Sequence, residues 1–213
     1  MHIPDAFIPL WQGAAYWIIA LIFIGISVRW AQREMNEDKI PVIAVLAAGI
    51  FAIQAFNLPV AMGTSGHLVG GALAAIVLGS PFAAVFILTL VLIVQALLFG
   101  DGGITVMGAN ILNMGIIGGF VGYYSYHAVL SLVKNPYLSA GIAAWLACLI
   151  SALACAVEMA IAGTFPLVPG IVAMGVYHAV IGLIEGVITA VILSLLATSR
   201  PDLIASSSRV VSP

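Results

Sequence analysis

The sequence predicts an all-α integral membrane protein with about seven transmembrane helices, and three observations lead to this prediction. Of the 213 residues, 63% are hydrophobic and only 7% are charged, whereas an ordinary soluble domain has about 25% charged residues. Apolar runs long enough to cross a bilayer recur along the chain. All six Lys and Arg residues can be placed on one side of the membrane. No linker or soluble appendage interrupts the pattern, so residues 1–213 are expected to form a single membrane domain.

The predicted helices follow from the apolar runs and from the breaks between them. They cover about residues 10–30, 41–56, 67–78, 82–99, 106–133, 137–162 and 171–197. Gly79-Ser80-Pro81 separates a short third helix from the fourth. Arg29, at the end of the first helix, and Arg33 and Lys39, in the polar segment after it, are basic, and positive charge marks the cytoplasmic side. The N-terminus is therefore expected outside the cell, with the N-terminal loop inserted into the bundle from the outer side, and the C-terminus in the cytoplasm, in a multi-pass protein of the cell membrane.

The residue types exclude several classes of function. No basic tract indicates a nucleic-acid partner. No positively charged start resembles a cleavable signal peptide, so the chain is expected to begin at Met1. No H-E-x-x-H motif supports an intramembrane hydrolase, and an enzyme is not expected. Cys148 and Cys155 lie about 10 Å apart along one helix, too far for a disulfide, and are interpreted as packing residues.

The start of the chain, Met1-His2-Ile3-Pro4-Asp5, is the strongest candidate for a functional site. A histidine at position 2 usually belongs to a frayed terminus, but it can also offer three nitrogens to one metal ion. The Met1 amine and the His2 backbone nitrogen close a five-membered chelate ring, and the His2 imidazole closes a six-membered one. This planar set suits Ni(II) or Cu(II) and is feasible for Co(II). The sequence therefore predicts a divalent-metal site, with His67 as the fourth ligand.

Other polar residues are candidates for supporting roles. Ligating histidines normally give their second ring nitrogen to an acceptor, and the candidates for this role are Asp5, Asn57, Thr64 and Ser65. Thr64 and Ser65 can equally cap the following helix, and Asp5 can cap a turn. Polar groups inside the membrane should face the bundle interior. The candidates among the polar residues inside the predicted helices are Asn110, Glu158, His178 and Glu185. They are expected to line the pocket, to form a relay, or only to hydrogen-bond neighbouring helices.

Four motifs, in order over the first 120 residues, resemble the cobalt/nickel substrate-binding (S) components of energy-coupling-factor (ECF) transporters, the CbiM/NikM family. They are Met1-His2-Ile3-Pro4-Asp5, Gly63-Thr64-Ser65-Gly66-His67-Leu68, Gln95-Ala96-Leu97-Leu98-Phe99-Gly100-Asp101-Gly102-Gly103 and Met107-Gly108-Ala109-Asn110. Ala6 stands where the family usually has glycine, and Ser80 departs from a common LGP pattern.

The resemblance implies a membrane protein that captures Ni(II) or Co(II) as its transported substrate, with the metal bound by Met1, His2 and His67. It also implies a transmembrane coupling (T) protein and ABC-type ATPase subunits as partners, and a small auxiliary membrane protein is a further candidate. The chain has no Walker A motif of its own, so the energy for transport must come from elsewhere. The alternative is a self-sufficient secondary metal transporter or channel, although no internal repeat of the kind common in such carriers is visible.

Overall fold

Seven helices make up most of the part of the chain that the structure, a computed structural model, describes: residues 1–37, 39–60 and 65–204. They are α1 (Leu10–Glu34), α2 (Lys39–Gln54), α3 (Gly71–Leu78), α4 (Pro81–Phe99), α5 (Met107–Val133), α6 (Pro136–Ile161) and α7 (Leu167–Ser199). Helix α5 contains a π-helical stretch, Ile111–Ile117, and a 3₁₀ turn, Pro201–Leu203, follows α7. Helices α1, α4, α5, α6 and α7 are long and apolar enough to cross a membrane. The expectation of an all-α membrane protein is therefore confirmed at this level.

The observed helix bounds differ from the predicted ones mainly where glycine and proline control the ends. Helix α3 begins at Gly71 instead of near His67, because Gly70 precedes it with a φ of +77°, a left-handed conformation that ends helical geometry. Helix α7 begins at Leu167 instead of residue 171. Pro169 is tolerated there because it lies in the first turn, where no backbone N–H has a partner within the helix.

Helix α3 is the centre of the bundle, and all eight of its residues are buried. It contacts α4, α5, α6 and α7. Small residues allow this close approach: a Cβ atom added to Gly71 would lie 2.7 Å from the Met114 carbonyl oxygen of α5. Small residues at helix contacts are what a membrane bundle needs, because lipid supplies no hydrophobic force to bring the helices together. The segment around His67 lies just before the N-terminal end of α3, and His67 is buried in the interior of the bundle.

The first residues of the chain enter the bundle. Met1 and Ile3 are each only 1% exposed, whereas Leu10, at the start of α1, is 76% exposed. A two-residue antiparallel ladder lies beside this segment and pairs β1 (Leu58–Pro59) with β2 (Ser65–Gly66). The inserted N-terminal loop expected from the sequence is therefore present, and β2 brings His67 to it.

Candidate metal centre

The amine of Met1 lies in a buried cluster, called the pocket below, in which the chain start meets Ser65 of β2, His67 and Gln95 of α4. It donates a hydrogen bond to the carbonyl oxygen of Ser65, and the hydroxyl oxygen of Ser65 lies 3.4 Å away. Burial lowers the pKa of this amine from 8.0 to about 6, although Cys155, Asp101 and Cys148 act in the opposite direction. A buried amine with a lowered pKa is neutral near pH 7, and its lone pair is then available to a cation.

The imidazole of His2 is held at one nitrogen and left open at the other. Its Nε2 lies 3.1 Å from Oε1 of Gln95, and because that oxygen can only accept, Nε2 carries the proton. Its Nδ1 is buried and has no hydrogen-bond partner in the described part of the chain. Burial, followed by the nearby Met1 ammonium, lowers the pKa of His2 from 6.5 to about 4. The neutral ring therefore presents an unshared lone pair at Nδ1, the nitrogen that closes the six-membered chelate ring.

His67 shows the complementary arrangement. Its Nδ1 lies 2.8 Å from the carbonyl oxygen of Leu68, so Nδ1 donates and Nε2 carries the lone pair. Within residues 1–37, 39–60 and 65–204, that Nε2 is buried and has no partner. The pKa of His67 lies well below its usual value, mainly because of burial and then because of the Met1 ammonium. The rings of His2 and His67 stack, with centroids 4.3 Å apart and planes 21° apart.

The pocket thus combines one buried amine, one backbone nitrogen and two imidazole lone pairs. Among the described residues, no group of three or more His, Cys, Asp or Glu side chains is placed to hold a metal ion. Such a set of nitrogen donors suits borderline transition metals and does not suit Mg²⁺ or Ca²⁺, which prefer oxygen ligands.

The N-terminal segment is anchored to the loop and helix that follow α4 by two side chains, Asn110 of α5 and its own Asp5. The side-chain amide of Asn110 accepts from the Ile3 N–H at 2.8 Å and donates to the Ile3 carbonyl at 3.1 Å. Asp5 accepts from the N–H groups of Ile104 and Thr105, at 3.1 and 2.8 Å. Asn110 therefore holds the segment that carries His2, and Asp5 caps the turn before α5 without a hydrogen bond to His2 or His67.

The remaining predicted residues are distributed around this centre. Ser65 contacts the Met1 amine, as described above, whereas Thr64 lies outside the described residues. Asn57 donates to Oδ2 of Asp101 at 3.2 Å and is not hydrogen-bonded to a histidine ring. Glu158 accepts from the side chain of Asn113 at 2.6 Å, which is a contact between helices α5 and α6.

His178 and Glu185 do not form a direct hydrogen-bonded relay. Glu185 accepts from the N–H groups of Val69 and Gly70, both at 2.8 Å, and so caps the N-terminal end of α3. Nδ1 of His178 lies 2.8 Å from the Met174 carbonyl oxygen of its own helix. Glu185 therefore stabilises the segment that carries His67.

Two residues at the pocket were not selected from the sequence as site residues, namely Gln95 and Asp101. Gln95 holds His2 through Nε2, and Oδ1 of Asp101 lies 3.3 Å from the His2 Nδ1. A buried polar residue in an otherwise apolar membrane helix is a recognisable signal of function, and Gln95 carries that signal in α4. Asp101 lies in the glycine-rich end of the motif from Gln95 to Gly103, which the sequence analysis used only for the family resemblance.

The fold and the pocket define a class of protein: a helical membrane protein with a buried, nitrogen-rich pocket at the start of its chain. Residues 2–203 match the family described as the cobalt uptake substrate-specific transmembrane region, CbiM. The chain belongs to this family of cobalt and nickel transport proteins, and the family resemblance is confirmed.

Proteins with a similar sequence or structure support the same assignment. The chain is 40% identical to a protein of Archaeoglobus fulgidus named as a fused nickel transport protein, over 96% of this chain and 68% of the relative. It is 32% identical to the cobalt transport protein CbiM of Sorangium cellulosum, over 96% of this chain and 94% of the relative. A crystal structure described as a truncated transition metal transporter superposes with a TM-score of 0.89 and is 35% identical, covering 93% of this chain and 99% of that one.

Proposed function

We propose that this chain is the substrate-capturing membrane component of an ATP-driven uptake transporter for Ni(II) or Co(II). The metal would bind to the Met1 amine, the His2 backbone nitrogen, Nδ1 of His2 and Nε2 of His67. The observation that carries this proposal is the pairing of two buried imidazole lone pairs, on His2 and His67, beside a buried terminal amine. Buried polar atoms without partners are uncommon in folded proteins, and these two belong to metal-ligating side chains.

The chemistry of the four nitrogens defines how binding proceeds. The amine and the His2 amide must both be deprotonated before they can ligate, so binding releases protons and weakens on acidification. A deprotonated amide and three neutral nitrogens in one plane favour Ni(II) over Co(II) in intrinsic affinity. The remaining imidazole nitrogens are already committed to Gln95 and to the Leu68 carbonyl, which fixes the tautomers that binding requires.

Transport requires partners that this chain does not supply. Support for an ATP-driven module comes from the family membership. The sequence contains no Walker A motif, so separate subunits would have to hydrolyse the ATP. A transmembrane coupling protein and ABC-type ATPase subunits would provide the energy, with the metal pocket open to the outside of the cell membrane. Uptake of radioactive nickel should therefore require the ATPase subunits, and uptake in cells lacking them would favour a secondary transporter.

The decisive experiment for the metal site adds three residues, Gly-Ser-Gly, before Met1, because a single added residue would place His2 third in the chain, where the new amine, two amides and the imidazole would form another planar nickel site. The purified protein and the extended variant are titrated with Ni(II), and the matched control carries the same three residues after Pro213. We expect the N-terminal extension to lower affinity by about 100-fold, because the amine moves out of the chelate ring, while the control binds normally. Equal retention of nickel by the extended variant would refute the proposed ligand set.

A further inference from the structure

Asp101 lies where the pocket meets solvent, and its position is not explained by the four nitrogen ligands. Its side chain is 29% exposed, while the His2 side chain beside it is 2% exposed. Oδ1 of Asp101 is 3.3 Å from Nδ1 of His2, yet Nδ1 has no hydrogen-bond partner among the described residues. The carboxylate therefore lies between solvent and the buried Nδ1 of His2.

Two acceptors face each other across this short distance. His2 donates its Nε2 proton to the side-chain oxygen of Gln95, so the neutral ring has only a lone pair at Nδ1. An ionised carboxylate also has only lone pairs to offer. Two acceptors at 3.3 Å with no proton between them repel each other, unless a cation is placed close to both. The contact is therefore unfavourable without a cation and becomes favourable when a cation binds.

The structure holds Asp101 in this orientation from two sides. Its backbone N–H donates to the carbonyl of Gln95 at 3.0 Å, the same residue whose side chain holds His2. Gly100, with a φ of +65°, makes the turn that ends α4 and allows that bond. Asn57 donates to the other carboxylate oxygen, Oδ2, at 3.2 Å. Oδ1 therefore faces the imidazole of His2.

The other carboxylates near the pocket are engaged elsewhere. Asp5 accepts from Ile104 and Thr105, Glu158 accepts from Asn113, and Glu185 accepts from two backbone N–H groups. Within the described part of the chain, Asp101 is thus the carboxylate that joins solvent to a ligating nitrogen. A divalent ion bound by three neutral nitrogens and one deprotonated amide carries a net charge of about +1, which is costly in a buried site, and Asp101 can neutralise it.

We propose that Asp101 is the capture ligand of this pocket: its carboxylate takes the hydrated divalent cation from solvent and passes it to Nδ1 of His2. This role rests on the proposed function and adds to it the step by which the metal arrives. The carboxylate is an oxygen donor, which suits a metal that still carries water, and the nitrogens replace it as the water leaves. A partly exposed anion at the mouth of a low-dielectric cleft also raises the rate of cation association.

The test measures the association rate of Ni(II) by stopped-flow absorbance with D101N, D101E and D202N. D101N keeps the shape of the side chain and removes its charge, D101E keeps the charge, and D202N makes the same charge change at an exposed residue paired with Arg200. We expect D101N to lower the association rate by about tenfold and to weaken its dependence on ionic strength. D101E should retain at least half of the rate, and D202N should match the unsubstituted protein.

An association rate for D101N within twofold of the unsubstituted protein, with the same salt dependence, would overturn the capture role. A D101N effect confined to dissociation would also overturn it. Failure of the whole metal site is distinguishable, because the N-terminal extension would then leave the absorbance spectrum of bound nickel unchanged. If D101N did not fold, N57A would be used instead, because it removes the hydrogen bond from Asn57 that orients the Asp101 carboxylate. A normal association rate in N57A would also count against the role.

Discussion

Gln95 and His2 form a buried pair in which Oε1 of the amide lies 3.1 Å from Nε2 of the imidazole. This bond joins the C-terminal end of α4 to the second residue of the chain. It also selects the tautomer, because a ring that donates from Nε2 must present a lone pair at Nδ1. Gln95 is therefore expected to be a positioning residue, which would act on a bound metal through His2.

The first prediction concerns this pair. Q95L removes the acceptor, so the His2 ring can rotate or change tautomer, and we expect Ni(II) affinity to fall by about 10- to 100-fold. Q95E retains an oxygen at the same position and should bind nickel about as well as the unsubstituted protein. Calorimetric titration measures the affinity, and nitrogen-15 shifts of the His2 ring report the tautomer. Unchanged affinity in Q95L would show that the pair has no part in binding.

The second prediction concerns pH. The Met1 amine has a pKa of about 6 and faces Asp101, Cys155 and Cys148, and its proton must leave before the metal binds. Above pH 6 only the His2 amide loses a proton on binding, so the association constant should rise about tenfold per pH unit. Below pH 6 the amine also competes, and the slope should rise to about 100-fold per unit.

Nickel titrations from about pH 5 to pH 8 would locate this change of slope. The chain with three residues added before Met1 provides the control, since its new amine lies outside the chelate and should give no break near pH 6. One constant slope over the whole range in the unextended protein would mean that the Met1 amine is not a ligand.

The third prediction concerns Ala6, which has a φ of +71°. Residues with a side chain are strained in this left-handed region, by about 1 kcal/mol or more. The turn after Asp5 thus takes the conformation that glycine would take freely. A6G should raise the free energy of unfolding by about 1 kcal/mol, measured by reversible unfolding in detergent.

The matched control is A15G on the exposed face of α1, where glycine should instead lower the free energy of unfolding by up to about 1 kcal/mol. A loss of stability in both variants would be inconsistent with strain at Ala6.

The fourth prediction concerns Asn110, whose side chain pairs with both backbone groups of Ile3. N110L keeps a similar volume but leaves the Ile3 N–H and carbonyl buried without these partners, at a cost of about 1–3 kcal/mol each. The N-terminal segment should then leave the pocket more often, and nickel affinity should fall by at least about tenfold. S125A, which changes a hydroxyl bonded to its own helix, is the control. Normal nickel affinity in N110L, with the thermal midpoint unchanged, would argue against this anchoring role.

Much of the fold could be predicted from the sequence, because hydropathy and helix-breaking residues are local properties. The apolar runs predicted the helices to within a few residues at most ends, and Gly79-Ser80-Pro81 correctly separated α3 from α4. The start of α3 was missed because it depends on the left-handed conformation of Gly70 and on the cap from Glu185, which is 115 positions away. No local pattern records such a partner.

The sequence by itself determined that this protein is a helical membrane protein of the cobalt and nickel transport family, and it singled out Met1, His2 and His67 as one group. Only the tertiary structure decided which groups meet those residues. Gln95 and Asp101 reach His2 because the end of α4 packs against the inserted chain start, and Asn110 and Glu185 hold the segments that carry His2 and His67. The physical reason is that composition and spacing specify what each segment can do, whereas contacts between distant segments follow from how the helices pack.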